Sequence, residues 1–193
     1  MPNALSRHFL SMAYNNAWAN HRLLKAFARL TQADFIAPRT GFFPSIKATL
    51  NHTLTVDWFY IDALERDQRN EPPHPDVMSF FRPEEPFDTC AELQREQSSA
   101  DKRLIDYCAQ LTDGTLEHVL TILRPRDTQH ETCTRLLGHL FQHQIHHRGQ
   151  AHAMLAGTSV KPPQLDEFFC DIDAALRAAD LAEMGLTEAS IRF

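Results

Sequence analysis

The chain has 193 residues, 43% of them hydrophobic and 23% charged, the proportions of a globular protein long enough to bury a core of its own as one domain over residues 1–193. A formal charge of -6 with no basic run excludes a nucleic-acid binder held by phosphate contacts. No apolar segment approaches bilayer length, no secretory leader pattern opens the chain, and the four cysteines (Cys90, Cys108, Cys133, Cys170) are scattered, so a cytoplasmic protein with reduced, buried thiols is expected.

In chain order, residues 3–30 predict an amphipathic helix, with Leu5, Phe9, Met12, Ala13, Ala17, Leu23, Leu24 and Phe27 at three- and four-residue steps. Its centre carries Asn15, Asn16 and Asn20, poor helix formers whose side chains point to hydrogen bonding or to solvent. Pro38, Gly41 and Pro44 make residues 31–44 a loop. Ser45 is a natural N-cap for a second helix over residues 45–66, with Ile46, Leu50, Thr53, Val56, Tyr60 and Leu64 along one face. His52 sits at the edge of that face, and Asp57 lies five residues on. Five prolines exclude a continuous helix over residues 70–86, yet its centre, Met78-Ser-Phe-Phe81, is apolar enough to pack on the domain.

A third helix is expected over residues 89–111, capped near Asp88, lined by Cys90, Leu93, Ala100, Leu104, Tyr107 and Cys108, and stopped by Asp113-Gly114. Residues 115–132 contain β-branched positions suited to a strand or hairpin arm, with a turn at Arg124-Pro-Arg-Asp127. A fourth helix spans residues 131–156 and closes at Gly157; after Lys161-Pro-Pro163 a fifth covers residues 166–184. This order predicts an all-α fold: a four-helix bundle with a C-terminal helical extension, an architecture whose core can hold a metal between facing helices.

The fourth helix carries the chemistry. Five of the eleven histidines fall between His139 and His152. At 3.6 residues per turn, His143 and His147 lie one above the other on a face shared with Leu136, Leu140 and Met154. Two imidazoles stacked toward a core need two partners or one shared cation, because burying unpaired polar rings is costly. The spacing suits a metal helix, but Gln144 stands where a zinc protease places its general-base Glu. Such a pair needs a third ligand from elsewhere.

Four strings then resemble the DinB family: Tyr14-Asn-Asn-Ala-Trp-Ala-Asn20, Gly41-Phe-Phe-Pro-Ser-Ile46, Leu50-Asn-His-Thr-Leu-Thr-Val-Asp57 and, most specific of all, His143-Gln-Ile-His-His147-Arg-Gly-Gln150. The resemblance covers almost the whole chain. It implies a four-helix bundle with a divalent metal, zinc or nickel, held by His52, His143 and His147. It also selects His143/His147 over the equally spaced His139/His143. His139 and His146 are left nearby, Arg148 can anchor a carboxylate of substrate or protein, and Gly149 would permit close helix approach.

Three neutral ligands leave an ion its full charge and an open position, the arrangement of a catalytic site. The resemblance implies a metal-dependent enzyme acting on a small molecule, either a thiol-dependent transferase using a low-molecular-weight thiol or a hydrolase with Asp57 as base. A non-catalytic metal- or ligand-binding stress-response protein is the alternative. The family also implies a homodimer, for which Phe42-Phe43, Phe80-Phe81 and Phe168-Phe169 are candidate covering or interface residues.

Overall fold

Apolar residues returning every three or four positions produce helix α1 (Ala4–Phe27), whose buried side includes Phe9, Ala13, Ala17, Leu24 and Phe27. The computed structural model describes residues 4–192, so Asn3, the expected first helical residue, lies outside the described residues. The segment read as a loop contains one short helix, α2 (Gln32–Ile36), because the Thr31 hydroxyl accepts from the Asp34 N–H at 3.1 Å and caps it. Ser45 caps α3 (Ile46–Gln68) as expected, its Oγ accepting from the Ala48 N–H at 3.0 Å. Prolines keep residues 70–86 irregular apart from a 3-10 turn, Val77–Phe81, and the Arg82–Pro83 peptide is cis. Phe80 and Phe81 of that turn pack on Phe59 of α3, with ring centroids 6.1 and 5.6 Å apart.

Helix α4 (Cys90–Cys108) departs from expectation at both ends. Thr89, not Asp88, is its cap, closing a capping box with Glu92. It stops at Cys108, and Gly114 is no terminator: Thr112 caps a further short helix, α5 (Asp113–Glu117), accepting from the Thr115 N–H at 3.2 Å. Strands β1 (Val119–Arg124) and β2 (Asp127–Thr132) then form the hairpin, antiparallel, with Leu120 opposite Glu131 and Leu123 opposite Thr128. Because Glu131 is held in that ladder, the last long helix, α6 (Cys133–Ala156), starts two residues later than the sequence suggested, capped by Thr132.

The C-terminal expectation of one helix is corrected. Helix α7 covers only Ala174–Glu183, behind a 3-10 turn at Asp171–Asp173, and α8 is Glu188–Ile191. The Glu167 carbonyl, which a longer helix would engage in its ladder, accepts from Arg177 Nη1 at 3.1 Å, and that of Cys170 accepts from both Arg177 Nη1 at 2.8 Å and the Asp173 N–H of the 3-10 turn at 3.2 Å. Of the four thiols expected to be buried, Cys108 and Cys133 are, Cys90 is half-buried and Cys170 is exposed.

The described residues are thus mostly helical with one small sheet. Helix α1 lies against α4 and α6, and α3 lies against the same two; the hairpin packs on α3 and α6. Phe27, Leu54, Leu64, Leu104, Leu137 and Leu140 are among the buried members of the main core. A smaller core of Trp18, Ala19, Phe168, Leu181 and Ile191 seats the C-terminal segment on α1, each large side chain contributing about 1.5–3 kcal/mol by burial. Among the described residues, no helix is long and apolar enough to cross a membrane.

Candidate metal centre

Because α3 and α6 are neighbours, His52 from the first meets His143 and His147 from the second. One ligating atom from each ring lies within 4.8 Å of the others. His52 Nε2 and His143 Nε2 are 3.1 Å apart, and the ring centroids of His52–His147 and His143–His147 are separated by 4.7 and 4.4 Å. A tetrahedral ion about 2.0–2.1 Å from each nitrogen spaces its ligands about 3.3 Å apart. The cluster fits such an ion with small adjustments. Its donor set fits as well: burial, with His147 next, lowers the pKa of His52 to about 4, and burial followed by the neighbouring histidines lowers that of His143 to about 3. His147 is lowered by burial too, with Gln150 opposing. Neutral imidazoles are what a cation requires.

Neighbouring groups orient the rings. His147 Nδ1–H donates to Gln150 Oε1 at 2.9 Å, which leaves its Nε2 lone pair free, and Gln150 Nε2 donates in turn to His146 Nε2 at 3.0 Å. His143 Nδ1 is buried and, among the described residues, has no hydrogen-bond partner. Phe43 covers the cluster, with its ring centroid 4.4 Å from that of His52 and 5.5 Å from that of His147, while Phe42 beside it is 76% exposed. The loop bearing these rings is held close to α6 at Gly41, which packs against Cε of Met154. Gly149, expected to allow close helix approach, is instead exposed, with nothing within 4 Å of where a side chain would begin. His139 lies off to one side, its ring 5.3 Å from that of Tyr60. A cavity of about 410 Å³ reaches His52, walled by Phe43, Ala48, Met78 and Phe81, with Glu84 and Glu85 also on its lining.

Asp57 is buried and hydrogen-bonded away from the histidines. Its Oδ2 accepts from Gln97 Nε2 of α4 at 2.8 Å and from Gln144 Nε2 of α6. Gln97 Nε2 also donates to Asp101 Oδ1 at 3.2 Å, and Asp101 accepts from Asn16 Nδ2 (3.1 Å) and Asn20 Nδ2 (3.0 Å) of α1. The oxygens of Asn16 and Asn20 accept from Arg148 Nη1 at 2.7 and 2.8 Å. Arg148 therefore faces the protein interior, and the asparagine patch of α1 is a buried hydrogen-bonding station. Burial raises the pKa of Asp57 to about 6 and, with Asp57 as the next cause, that of Asp101 to about 7; burial lowers that of Arg148 to about 10. Gln97 and Asp101 were not singled out in the sequence. The available signal was the run Leu93, Gln97, Asp101, Leu104 and Cys108, which puts two polar residues on an otherwise apolar helix face.

Fold and site together define a mostly helical protein with a three-histidine cluster that could hold a metal ion. The model of one family, the DinB family, matches residues 1–174. The chain belongs to the DinB family, a metal-associated family. No curated protein matches the chain.

Proposed function

We propose that this protein is a metal-dependent enzyme that binds one divalent ion, zinc or nickel, through His52, His143 and His147, on the four-helix bundle of its family. The observation that carries this reading is the double position of His52, which belongs to the histidine cluster and also lines the cavity of about 410 Å³. A bound ion would supply Lewis acidity there, making a water or thiol that enters the cavity more acidic. The chain's own residues do the rest. Gln150 fixes the His147 tautomer, Phe43 shields the cluster from solvent, and Met78, Phe81 and Ala48 offer an apolar wall to a small organic substrate.

Of the two reaction types, thiol-dependent transfer is better supported than hydrolysis. Hydrolysis calls for a base near the substrate, and Asp57, the candidate read from the sequence, is buried and bonded to Gln97 and Gln144, so that task would fall to Glu84 or Glu85 on the cavity lining. Transfer from a low-molecular-weight thiol needs no such base. A homodimer and a cytoplasmic location complete the proposal. The test is elemental analysis of protein purified without chelator or metal-affinity tag, followed by assay of the loaded protein with small thiols and electrophiles. About one ion per chain, lost in His147→Ala, with thiol-dependent turnover supports the reading; stoichiometric metal without turnover of any thiol or ester substrate favours the non-catalytic binding protein. No metal after reloading overturns both.

A further inference from the structure

Beside the histidine cluster, hydrogen bonds run from Gln144 to Asp57, Gln97, Asp101, Asn16 and Asn20 and on to Arg148, a path through α3, α4 and α1 that the backbone of α6 closes into a ring, since Gln144 and Arg148 lie one turn apart on it. The charged groups in it are Asp57, Asp101 and Arg148; α1 contributes only neutral amides. With both carboxyls ionised, this buried ring would hold a net negative charge, an expensive state away from water. Burial and the neighbouring Asp57 raise Asp101, to about 7, slightly further than burial raises Asp57, to about 6, but the pattern of donors and acceptors places the proton on Asp57. Asp101 receives N–H groups on both oxygens, Oδ1 from Asn16, Asn20 and Gln97 and Oδ2 from Asn20 at 3.2 Å, as suits an anion. Asp57 receives both of its N–H groups on Oδ2, while its Oδ1 and the Oε1 of its neighbour Gln144 are buried with no partner among the described residues. A void of about 20 Å³ lined by Gln144, Gln97, Asn20 and Arg148 is large enough for a water that could serve Gln144, but Asp57 does not line it.

We propose that Asp57 is kept as the neutral acid, its Oδ1–H donating to Gln144 Oε1 while Gln144 Nε2 donates to Asp57 Oδ2, and that this acid–amide pair positions the turn of α6 carrying His143 and His147. Arg148 and Asp101 then balance as one cation and one anion. Asp57 acts through Gln144 and is a positioning residue. The protonation assignment stands by itself; the positioning of metal ligands rests on the proposed metal site.

Asparagine mimics the neutral acid, since its N–H can replace Oδ1–H. Asp57→Asn should therefore fold and be at least as thermally stable as wild type at neutral pH, whereas Asp101→Asn turns an amide toward amide donors and should lose several degrees. A carboxylic acid held above its unfolded pKa stabilises the fold at low pH and loses that contribution as pH rises through its folded value. Wild type should thus weaken between about pH 4 and about pH 6 by a component missing from Asp57→Asn. Infrared spectroscopy at about pH 5.5, below the folded value of Asp57, decides the assignment: the protonated-carboxyl carbonyl band of wild type should be reduced by one group in Asp57→Asn. No such band in wild type, or an undiminished one in Asp57→Asn, overturns it, whether or not Asp101→Asn folds. For positioning, cobalt(II)-loaded Asp57→Asn should keep the wild-type visible spectrum and Asp57→Ala should shift it. An unshifted Asp57→Ala overturns the positioning role, and failure of wild type to bind cobalt overturns it together with the metal site, leaving the infrared result to stand separately.

Discussion

Two clusters of metal-ligating side chains occur among the described residues: His52, His143 and His147, and His21, Asp180 and Glu183. In the second, the positive charge is already supplied by the protein. Arg22 Nε binds Asp180 at 2.7 Å, Lys25 Nζ binds Glu183 at 2.6 Å, and His21 Nε2 meets Glu183 at 2.9 Å. That cluster fastens α7 to α1. In the first, three rings held neutral by burial converge, and among the described residues no lysine or arginine is bonded to them. Ligand-type residues alone therefore do not mark a metal site; the informative feature is convergent lone pairs for which the chain provides no cation.

Substitution of a ligand should separate the clusters most sharply. His143→Ala is expected to reduce bound metal from about one ion per chain to almost none by elemental analysis, while His21→Ala leaves it unchanged. The reverse result would erase the distinction. Adding free zinc at about 100 times its dissociation constant should raise wild-type stability by about 2.7 kcal/mol in denaturant titrations and leave His143→Ala unmoved. In the other cluster, Arg22→Ala should cost about 1–3 kcal/mol without altering metal content, because it strips partners from Asp180 and Glu167. A loss of metal in that variant would join two regions that are separate on this reading. The smallest effect is expected for Lys25→Ala, below about 1 kcal/mol in the same titration, since the lysine side chain is 49% exposed.

The long helices were legible because their apolar spacing is local, and so were Ser45 and Gly157 at their ends. The histidine cluster was half legible: helical spacing alone pairs His143 with His147, whereas joining His52 to them required a resemblance, because the rotation of α3 against α6 is not written in either helix. The buried ring was least legible for the same reason, since Gln97 and Asp101 look like ordinary polar residues until α1, α3 and α6 surround them. The C-terminal helix was read too long because Arg177 captures the Glu167 and Cys170 carbonyls through contacts that periodicity does not record. Asp57 was read from its spacing to His52 on the same helix, but its partners, Gln97 and Gln144, come from two other elements that this spacing does not reveal.

The junction at Thr132 bears on how this chain can change length. The same residue closes β2 against Val119 and caps α6, so no spare residue separates the sheet from the helix that carries His143 and His147. One residue inserted into the start of α6 would turn everything beyond it by about 100°, sweeping both imidazoles away from His52. The same insertion between Pro125 and Arg126, at the hairpin tip, would lengthen a turn and leave the angular phase of α6 untouched. Length variation should therefore be tolerated at the tip and forbidden at the junction, making the hairpin a phase lock for the helix that follows it.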